Sequence, residues 1–227
     1  IYKQFNSNMK KKILFIINPR SGNGKHALKI TTLIHENIDL KKYDIQILQT
    51  QHTGHAATMA KDAISDQFNI IAVAGGDGTL NEVGSCLVNT AVCLGMIPAG
   101  SGNGLARHLC IPLDFFGSIK TINRGNFKTI DTGKINNHIF LNVAGIGFDA
   151  HISKLFNSKE NQRGFYNYLK IITKEIFSYN EKTYTVKTEN NELTVKAFMV
   201  CAANSSQFGN NFYIAPDADI CDSKLNI

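Results

Sequence analysis

The strongest constraint on the fold is an alternation of short apolar segments and helical stretches over the first half of the chain, with glycine-rich turns after most apolar segments. Apolar segments of this length, rich in β-branched residues, indicate buried strands. The strand and helix pairs are 12–17 with 25–37, 43–48 with 55–66, 69–74 with 79–88, and 92–97 with 105–109. Such repetition predicts a parallel sheet with helices on both faces, whose ligands bind beyond the carboxyl ends of the strands.

The pattern changes near Arg124–Asn126. Four later segments have the composition of strands joined by turns, and one helical stretch, Tyr166–Phe177, separates them; the segments are 127–133, 138–145, 182–189 and 193–204. This second part predicts a mainly antiparallel β domain. The polar residues that precede Met9 are left out of the fold prediction.

The composition indicates a globular chain, because 43% of the residues are hydrophobic and the longest apolar runs reach only about half the length of a bilayer-spanning helix. No basic-then-apolar leader is visible, so a cytoplasmic protein is predicted. Five cysteines without CxxC spacing indicate neither a zinc site nor a disulfide framework. The net charge of +6 suits a phosphate-bearing ligand, an anionic membrane face or an ordinary solvated surface. The basic residues are scattered without an aromatic platform, so no nucleic-acid partner is predicted.

Three glycine-rich turns follow predicted strands. The first, around Pro19, lacks the P-loop spacing GxxxxGK[ST]. The third, Pro98–Leu109, misses the dinucleotide fingerprint, but its Ser101 and Asn103 are candidates to donate to a phosphate or a ribose. Each turn alone fits an ordinary strand-to-helix connection. Three such turns at the same edge of one sheet predict a phosphate site for a nucleotide.

The second turn, Gly75–Val83, places Asp77 between glycines at the end of an apolar run. Residues without a Cβ allow a phosphate to approach the backbone closely. A carboxylate beside a phosphate needs a cation or a proton-transfer role. Asp77 is therefore predicted to organise Mg²⁺ through water or to act as general base on an acceptor hydroxyl. The alternative is that Asp77 caps the following helix and Glu82 is an ordinary first-turn acid.

Five segments together resemble the diacylglycerol kinase catalytic-domain family, in particular bacterial lipid kinases similar to diacylglycerol and sphingosine kinases. They are residues 18–25, 75–83, 97–109, 142–150 and 208–227, and they follow the family's order over nearly the whole chain. The resemblance implies an α/β ATP-binding domain with a parallel sheet, residues 9–125, and a mainly antiparallel β-sandwich domain, residues 126–227. It also implies an ATP-dependent lipid kinase that transfers the γ-phosphoryl group to a lipid hydroxyl.

Matched residue by residue, the resemblance implies ATP contacts in the three turns and at one further threonine: Asn18, Pro19, Arg20, Ser21, Gly22, Thr50, Gly76, Asp77, Gly78, Thr79, Leu80, Asn81, Glu82, Ser101, Gly102 and Asn103. Asp77 is the predicted catalytic residue. The family also holds a structural Mg²⁺ or Ca²⁺, whose ligands here are Asp219, Asp222 and the carbonyl of Lys224, with Asp131 in the same water network. Closely spaced carboxylates suit a hard cation, although acids in a surface turn are the commoner case.

Two departures from the family pattern matter. Diacylglycerol kinase-like members carry Thr-Asn-Asp where this chain has Gly102-Asn103-Gly104, which is closer to sphingosine kinases and leaves the acceptor lipid open. Family members also continue beyond the counterpart of Ile227, and that tail supplies a catalytic carboxylate. The second domain is therefore expected to be incomplete.

Two other functions stay open. NAD kinases share the GGDGT motif but use a separate Asn-Glu pair well downstream; here Asn81-Glu82 is contiguous with the motif, and Asn190–Glu192 falls in a predicted hairpin turn. A nucleotide- or lipid-binding regulator without catalysis is the second alternative.

A lipid acceptor implies transient, peripheral contact with a membrane. The candidate residues are Phe115, Phe116, Leu155 and Phe156 beside Lys120, Lys154 and Lys159. Partly buried helix faces are the other interpretation of these residues. A homodimer is left open as the assembly.

Overall fold

The structure is a computed structural model that describes residues 10–22, 24, 26–158, 165–187 and 191–227. Four residues named in the predictions lie outside these ranges, namely Met9, Lys25, Lys159 and Asn190, as does the side chain of Phe156. Contacts between residues divide the chain into two compact units, with the division between Lys128 and Thr129.

The first unit alternates strands and helices. Their order is β1 (Lys11–Ile17), α1 (Ala27–Asn37), β2 (Tyr43–Gln49), α2 (His55–Ser65), β3 (Ile70–Gly75), α3 (Asp77–Leu87), β4 (Cys93–Pro98), α4 (Gly104–His108) and α5 (Phe115–Arg124). The strands form a sheet in the order β2-β1-β3-β4, and every neighbouring pair is parallel. The predicted parallel α/β domain is confirmed.

Side chains from both faces of the sheet are buried, which explains why the central strands have continuous apolar sequences. Ile13, Phe15 and Ile17 of β1 belong to a core cluster with residues of α1 and α5, including Ile34 and Ile119. The intervening residues of β1 point to the opposite face and are also buried. Each such large side chain contributes about 1.5–3 kcal/mol of hydrophobic stabilisation. The core therefore fixes the strands whose carboxyl ends carry the glycine turns.

The second unit combines short antiparallel strand pairs with two helices among the described residues. Its elements are β5 (Gly133–Ile135), β6 (His138–Phe140), β7 (Val143–Gly147), α6 (Phe148–Ser158), α7 (Phe165–Glu175), β8 (Lys182–Lys187), β9 (Glu192–Ala197), β10 (Met199–Ala203), β11 (Gln207–Gly209) and β12 (Phe212–Tyr213). The antiparallel pairs are β5 with β6, β7 with β10, β8 with β9, and β11 with β12. The predicted antiparallel character is confirmed.

Some predicted bounds differ from the structure. The segment 127–133 was expected to be a strand, but only Gly133 at its end lies in one, because no strand of the described residues pairs with 127–132. Helix α3 begins at Asp77, two residues before the predicted start at Thr79. In addition, α6 covers a stretch where the sequence indicated a helix only in the helix-face interpretation of Leu155 and Phe156.

Among the described residues, no helix combines the length and the hydrophobicity that crossing a bilayer requires.

Candidate active site

The predicted loops of the first unit leave the sheet at one edge. The N–H of Asn18 donates to the carbonyl of Ala74 over 2.9 Å, and the N–H of Thr50 donates to the carbonyl of Ile17 over 2.9 Å. These bonds extend the ladder just beyond the strands. The chain leaves β1 toward β2 but leaves β3 toward β4, although β1 and β3 are neighbours. Ligands of parallel sheets bind at such a reversal of strand order.

The first loop is tied to the second by a side-chain hydrogen bond. Asn18 Nδ2 donates to the hydroxyl of Thr79 over 2.8 Å, and Thr79 is buried. Asn18 Oδ1 accepts the N–H of Arg20 over 2.9 Å, which closes the turn that contains Pro19 and Ser21. These polar atoms of Asn18 and Thr79 therefore hold the two loops together.

The second loop is tied to the third by Asp77. One carboxylate oxygen of Asp77 accepts the N–H of Asn103, and the other accepts the N–H of Gly104, each over 2.8 Å. Asp77 is the first residue of α3, whereas Gly104 is the first residue of α4. The aspartate thus caps a helix, as one sequence interpretation allowed, but the capped helix is α4 and not its own.

Backbone contact also joins these two loops. A Cβ placed on Gly100 would lie 2.4 Å from the Cα of Gly76, a distance that no real Cβ adopts. A Cβ on Gly22, whose φ is +61°, would lie 2.9 Å from the carbonyl oxygen of Ala99. The three glycine loops are therefore packed against one another. The sequence predicted only that they lie at the same edge of the sheet. Gly100 was not among the predicted site residues. The only sign of its role in the sequence was that it is a glycine in the third loop.

The side chain of Asn103 is used within its own loop. Its Oδ1 accepts the N–H of Gly100 over 3.0 Å, and its Nδ2 donates to the carbonyl of Gly100 over 2.8 Å. Its backbone is left-handed, with φ 52° and ψ 44°. This bond uses one of the two hydrogens of Nδ2, so donation by this amide to a phosphate or ribose stays a prediction.

Burial raises the pKa of the Asp77 carboxyl above its ordinary value. The backbone N–H groups of Asn103 and Gly104 oppose this rise, since hydrogen bonds to the charged form stabilise it. The backbone N–H groups of Asp77 itself and of Leu105 act in the same direction. The Asp77 carboxyl is therefore a half-buried acid surrounded by backbone donors.

The N-terminus of α3 is open. Its N-cap residue is Gly76, and no side chain caps it. Within the described part of the chain, the N–H groups of Gly78 and Thr79 have no hydrogen-bond partner. A Cβ on Gly78 would meet no atom within 4 Å. Free N–H groups at the positive end of a helix, with space in front of them, form an anion-binding site.

The other predicted ATP contacts differ in exposure. Ser101 is exposed, and Thr50 is half-buried at the end of β2. The carbonyl of Gly102 accepts Arg107 Nε over 3.1 Å. Leu80 is buried, so its side chain belongs to the core. Asn81 and Glu82 are half-buried in the first turns of α3.

The predicted metal ligands lie in the turns that precede Ile227. Asp219 Oδ1 accepts the N–H of Cys221 over 3.0 Å, and Asp222 Oδ1 accepts the N–H of Lys224 over 2.9 Å. Asp131 Oδ2 accepts the N–H of Ser223 over 2.6 Å, which brings the predicted third acid to the same turn. Each carboxylate thus closes a turn.

No group of three His, Cys, Asp or Glu side chains placed to hold a metal ion occurs in the described ranges. The predicted ligand set is of another kind, because it combines two carboxylates with the backbone carbonyl of Lys224. The metal assignment stays a prediction that rests on the family resemblance.

Comparisons with known proteins agree with this architecture. Residues 12–135 match the family described as diacylglycerol kinase catalytic domain, and residues 142–227 match a YegS C-terminal NAD kinase beta sandwich-like domain. The chain is 34% identical over 149 residues to proteins named diacylglycerol kinase in Staphylococcus aureus strains bovine RF122 / ET3-1 and MRSA252. The alignment covers 64% of this chain and 46% of each relative, so the chain spans about half their length.

Solved structures show the same similarity. A structure described as a diacylglycerol kinase from Bacillus anthracis strain Sterne superposes with a TM-score of 0.73 and 26% identity, covering 95% of this chain and 71% of that one. Another structure from the same strain superposes with a TM-score of 0.77 and 25% identity, covering 99% and 74%. The predicted fold class and resemblance are confirmed. The match to the catalytic domain covers more than half of the residues of this chain, and the chain therefore belongs to the diacylglycerol kinase catalytic domain family.

Proposed function

We propose that the protein is an ATP-dependent kinase that transfers the γ-phosphoryl group to the hydroxyl of a lipid alcohol. The observation that carries this proposal is the set of three mutually packed glycine loops beside the open N-terminus of α3. Phosphoryl transfer depends mainly on positioning and on stabilising charge, and backbone N–H groups in a rigid loop do both. Membership of the family supports the same reaction class.

ATP enters this proposal as its Mg²⁺ complex, with its phosphates at the switch point between β1 and β3. The N–H groups of Gly78 and Thr79 bind phosphate oxygens. The first loop, Asn18–Gly22, and the third loop, Ser101–Asn103, line the same edge. Thr50 borders this edge at the end of β2.

Asp77 stays the predicted catalytic residue. In the reaction, the acceptor oxygen forms a bond to the γ-phosphorus, the bond to the β–γ bridging oxygen breaks, ADP leaves, and the hydroxyl proton passes to a base. Burial raises the pKa of the Asp77 carboxyl, which favours proton acceptance. The alternative role at the same position is to organise the hydrated Mg²⁺.

The lipid acceptor requires contact with a membrane surface, and helix α5 supports one candidate region. Phe116 is 44% exposed, and Lys120 Nζ lies 4.2 Å from the centre of its ring. An exposed aromatic ring beside a lysine suits the interface of an anionic membrane. Phe115 packs against the core cluster and Leu155 is half-buried, so these two fit the helix-face interpretation. The proposal thus includes peripheral association of the protein with a membrane, and it leaves a homodimer open as the assembly.

A structural Mg²⁺ or Ca²⁺ held by Asp219, Asp222 and the Lys224 carbonyl is a separate proposal. Its test is thermal unfolding of the metal-free protein with added Mg²⁺ or Ca²⁺, compared with an Asp222→Asn variant. A metal-dependent rise in Tm that the variant lacks would support the site. An equal response of both proteins would refute it.

The reaction is tested with labelled ATP, a panel of lipid alcohols and NAD, using the product of the full reading frame. Label transferred to one class of lipid alcohol supports the proposal. Transfer to NAD alone would identify an NAD kinase-like enzyme. ATP binding without transfer to any lipid would favour a nucleotide-binding regulator.

A further inference from the structure

The carboxylate of Asp77 serves a helix other than the one it begins. α4 has five residues, and its N-cap residue, Asn103, provides no side-chain cap. An isolated helix of this length does not form in water without outside support. Asp77 supplies that support, because its two oxygens accept the N–H groups of Asn103 and Gly104. These are orphan donors that helix N-termini leave unpaired.

The contact forms part of a closed circuit between the second and third loops. Asp77 holds the backbone of Asn103, and the Asn103 side chain forms two hydrogen bonds with Gly100. Gly100 in turn lies in backbone contact with Gly76, the residue before Asp77. Because every link joins neighbouring groups at close range, a change at Asp77 must alter the position of the third loop.

We propose that Asp77 is a positioning residue, which fixes the third glycine loop against the second so that both loops are arranged for the triphosphate before ATP binds. This inference rests on the proposed function for the identity of the ligand. It differs from the catalytic role predicted for Asp77, because the carboxylate acts through the loop backbone. Arranging a binding site in advance raises affinity, since the ligand does not have to order the loop.

Burial is consistent with this role. Burial raises the pKa of the Asp77 carboxyl, and the backbone N–H groups around it oppose that rise, because they stabilise the charged form. Asparagine is a poor substitute here. Its amide nitrogen is a donor, so it can accept only one of the two N–H groups and faces the other with a second donor.

The experiment compares wild-type protein, Asp77→Asn and Asn103→Gly, with Asp62→Asn as a control. Asp62 is exposed on α2, and the control makes the same chemical change away from the loops. Asn103→Gly removes both bonds to Gly100 but keeps the Asp77 carboxylate, and glycine accepts the left-handed backbone. The dissociation constant of MgATP is measured by calorimetry, well below the lowest Tm of the set. Turnover at saturating ATP is measured against pH.

The expected result is a rise of about tenfold or more in the ATP dissociation constant for both loop variants. The shape of the pH profile should be unchanged in Asn103→Gly, because this variant keeps the Asp77 carboxylate. An unchanged ATP dissociation constant in Asp77→Asn would overturn the proposal. With an unchanged dissociation constant, a fall in turnover by orders of magnitude and the loss of the acid limb of the pH profile would indicate a base. A fall in Tm alone would indicate a purely structural residue. Either result would overturn the positioning role. Should Asp77→Asn fail to fold, an unchanged dissociation constant in Asn103→Gly would overturn it.

The affinity measurement also separates this inference from the proposed reaction. Wild-type protein that binds MgATP but phosphorylates no lipid would refute the lipid kinase proposal alone, and the comparison of affinities would still test Asp77. Wild-type protein that binds no ATP would refute both.

Discussion

Replacing Gly78 with alanine tests whether this glycine is needed for ligand binding or for folding, because the two roles predict opposite effects on stability and on ATP affinity. Gly78 is exposed in the first turn of α3, its φ is outside the left-handed region, and an added Cβ would meet no atom within 4 Å. The fold therefore does not require glycine here. Alanine is the better helix former by about 0.5–1 kcal/mol. We expect Gly78→Ala to raise the free energy of unfolding by about that amount and Tm by about 1–4 °C.

The affinity for ATP should change in the opposite direction. The N–H groups of Gly78 and Thr79 are the proposed phosphate donors, and a methyl group on Gly78 occupies space that a phosphate oxygen needs. Losing one hydrogen bond to a charged group costs about 1.5–3 kcal/mol. The dissociation constant of MgATP should therefore rise by about 10-fold to 150-fold.

The assay pairs thermal unfolding without nucleotide with titration calorimetry of MgATP. Thr32→Ala is the matched control, because Thr32 is exposed on α1 and its hydroxyl bonds only the carbonyl of Leu28 in its own helix. Alanine at that position should stabilise the helix without changing ATP affinity. A Gly78→Ala protein that is more stable than wild type and binds MgATP equally well would refute phosphate binding at the start of α3.

Three further predictions follow from the same structure. Gly100→Ala should lower the free energy of unfolding in urea by about 2 kcal/mol or more, because its Cβ would lie 2.4 Å from the Cα of Gly76; a stability equal to wild type would contradict the contact between the loops. Phe116→Ser should weaken co-sedimentation with anionic vesicles, whereas Phe127→Ser, which removes a ring of similar exposure (49% against 44%), should not; equal effects would exclude a specific contact at α5. Burial raises the pKa of Cys201 to about 11, so only about one thiol in a thousand is ionised at pH 8, and rapid alkylation of this residue in the native protein would contradict its burial.

The sheet could be predicted from the sequence because its signal is local. All six residues of β3 are buried, and the segment accordingly has an unbroken run of apolar residues and small residues. Glycine turns mark where the strands end, and a parallel sheet brings those ends to one edge. The position of the site therefore followed from strand identity and direction, without knowledge of any long-range contact.

The partners of the site residues could not be predicted in the same way. Asp77 was interpreted as a loop residue facing a phosphate or as the cap of its own helix, but its partners lie 26 and 27 residues further along the chain. Asn18 bonds to Thr79, which is 61 residues away. A sequence gives the donor and acceptor types of these side chains, whereas the packing of separate loops decides which of them meet.

The second unit shows the same limit for strands. Residues 127–132 contain the aromatic and β-branched residues that strands favour, yet they have no ladder partner among the described residues. Asp131 N–H forms a single bond to the carbonyl of Ile220, and its carboxylate closes the turn at Ser223. Strand formation depends on a second segment at the correct register, and local composition does not specify that segment.

The glycines of the three loops have different structural reasons for lacking a Cβ. A glycine that the fold does not require is the stronger evidence for a ligand. Gly22 has a left-handed backbone, and Gly76 and Gly100 are in backbone contact, so the fold itself explains their lack of a Cβ. Gly78 has neither constraint, and glycine at its position costs helix stability. A residue that weakens its helix and faces open space is explained by what approaches it from outside. Among these four glycines, Gly78 therefore gives the most direct argument for a phosphate at the start of α3.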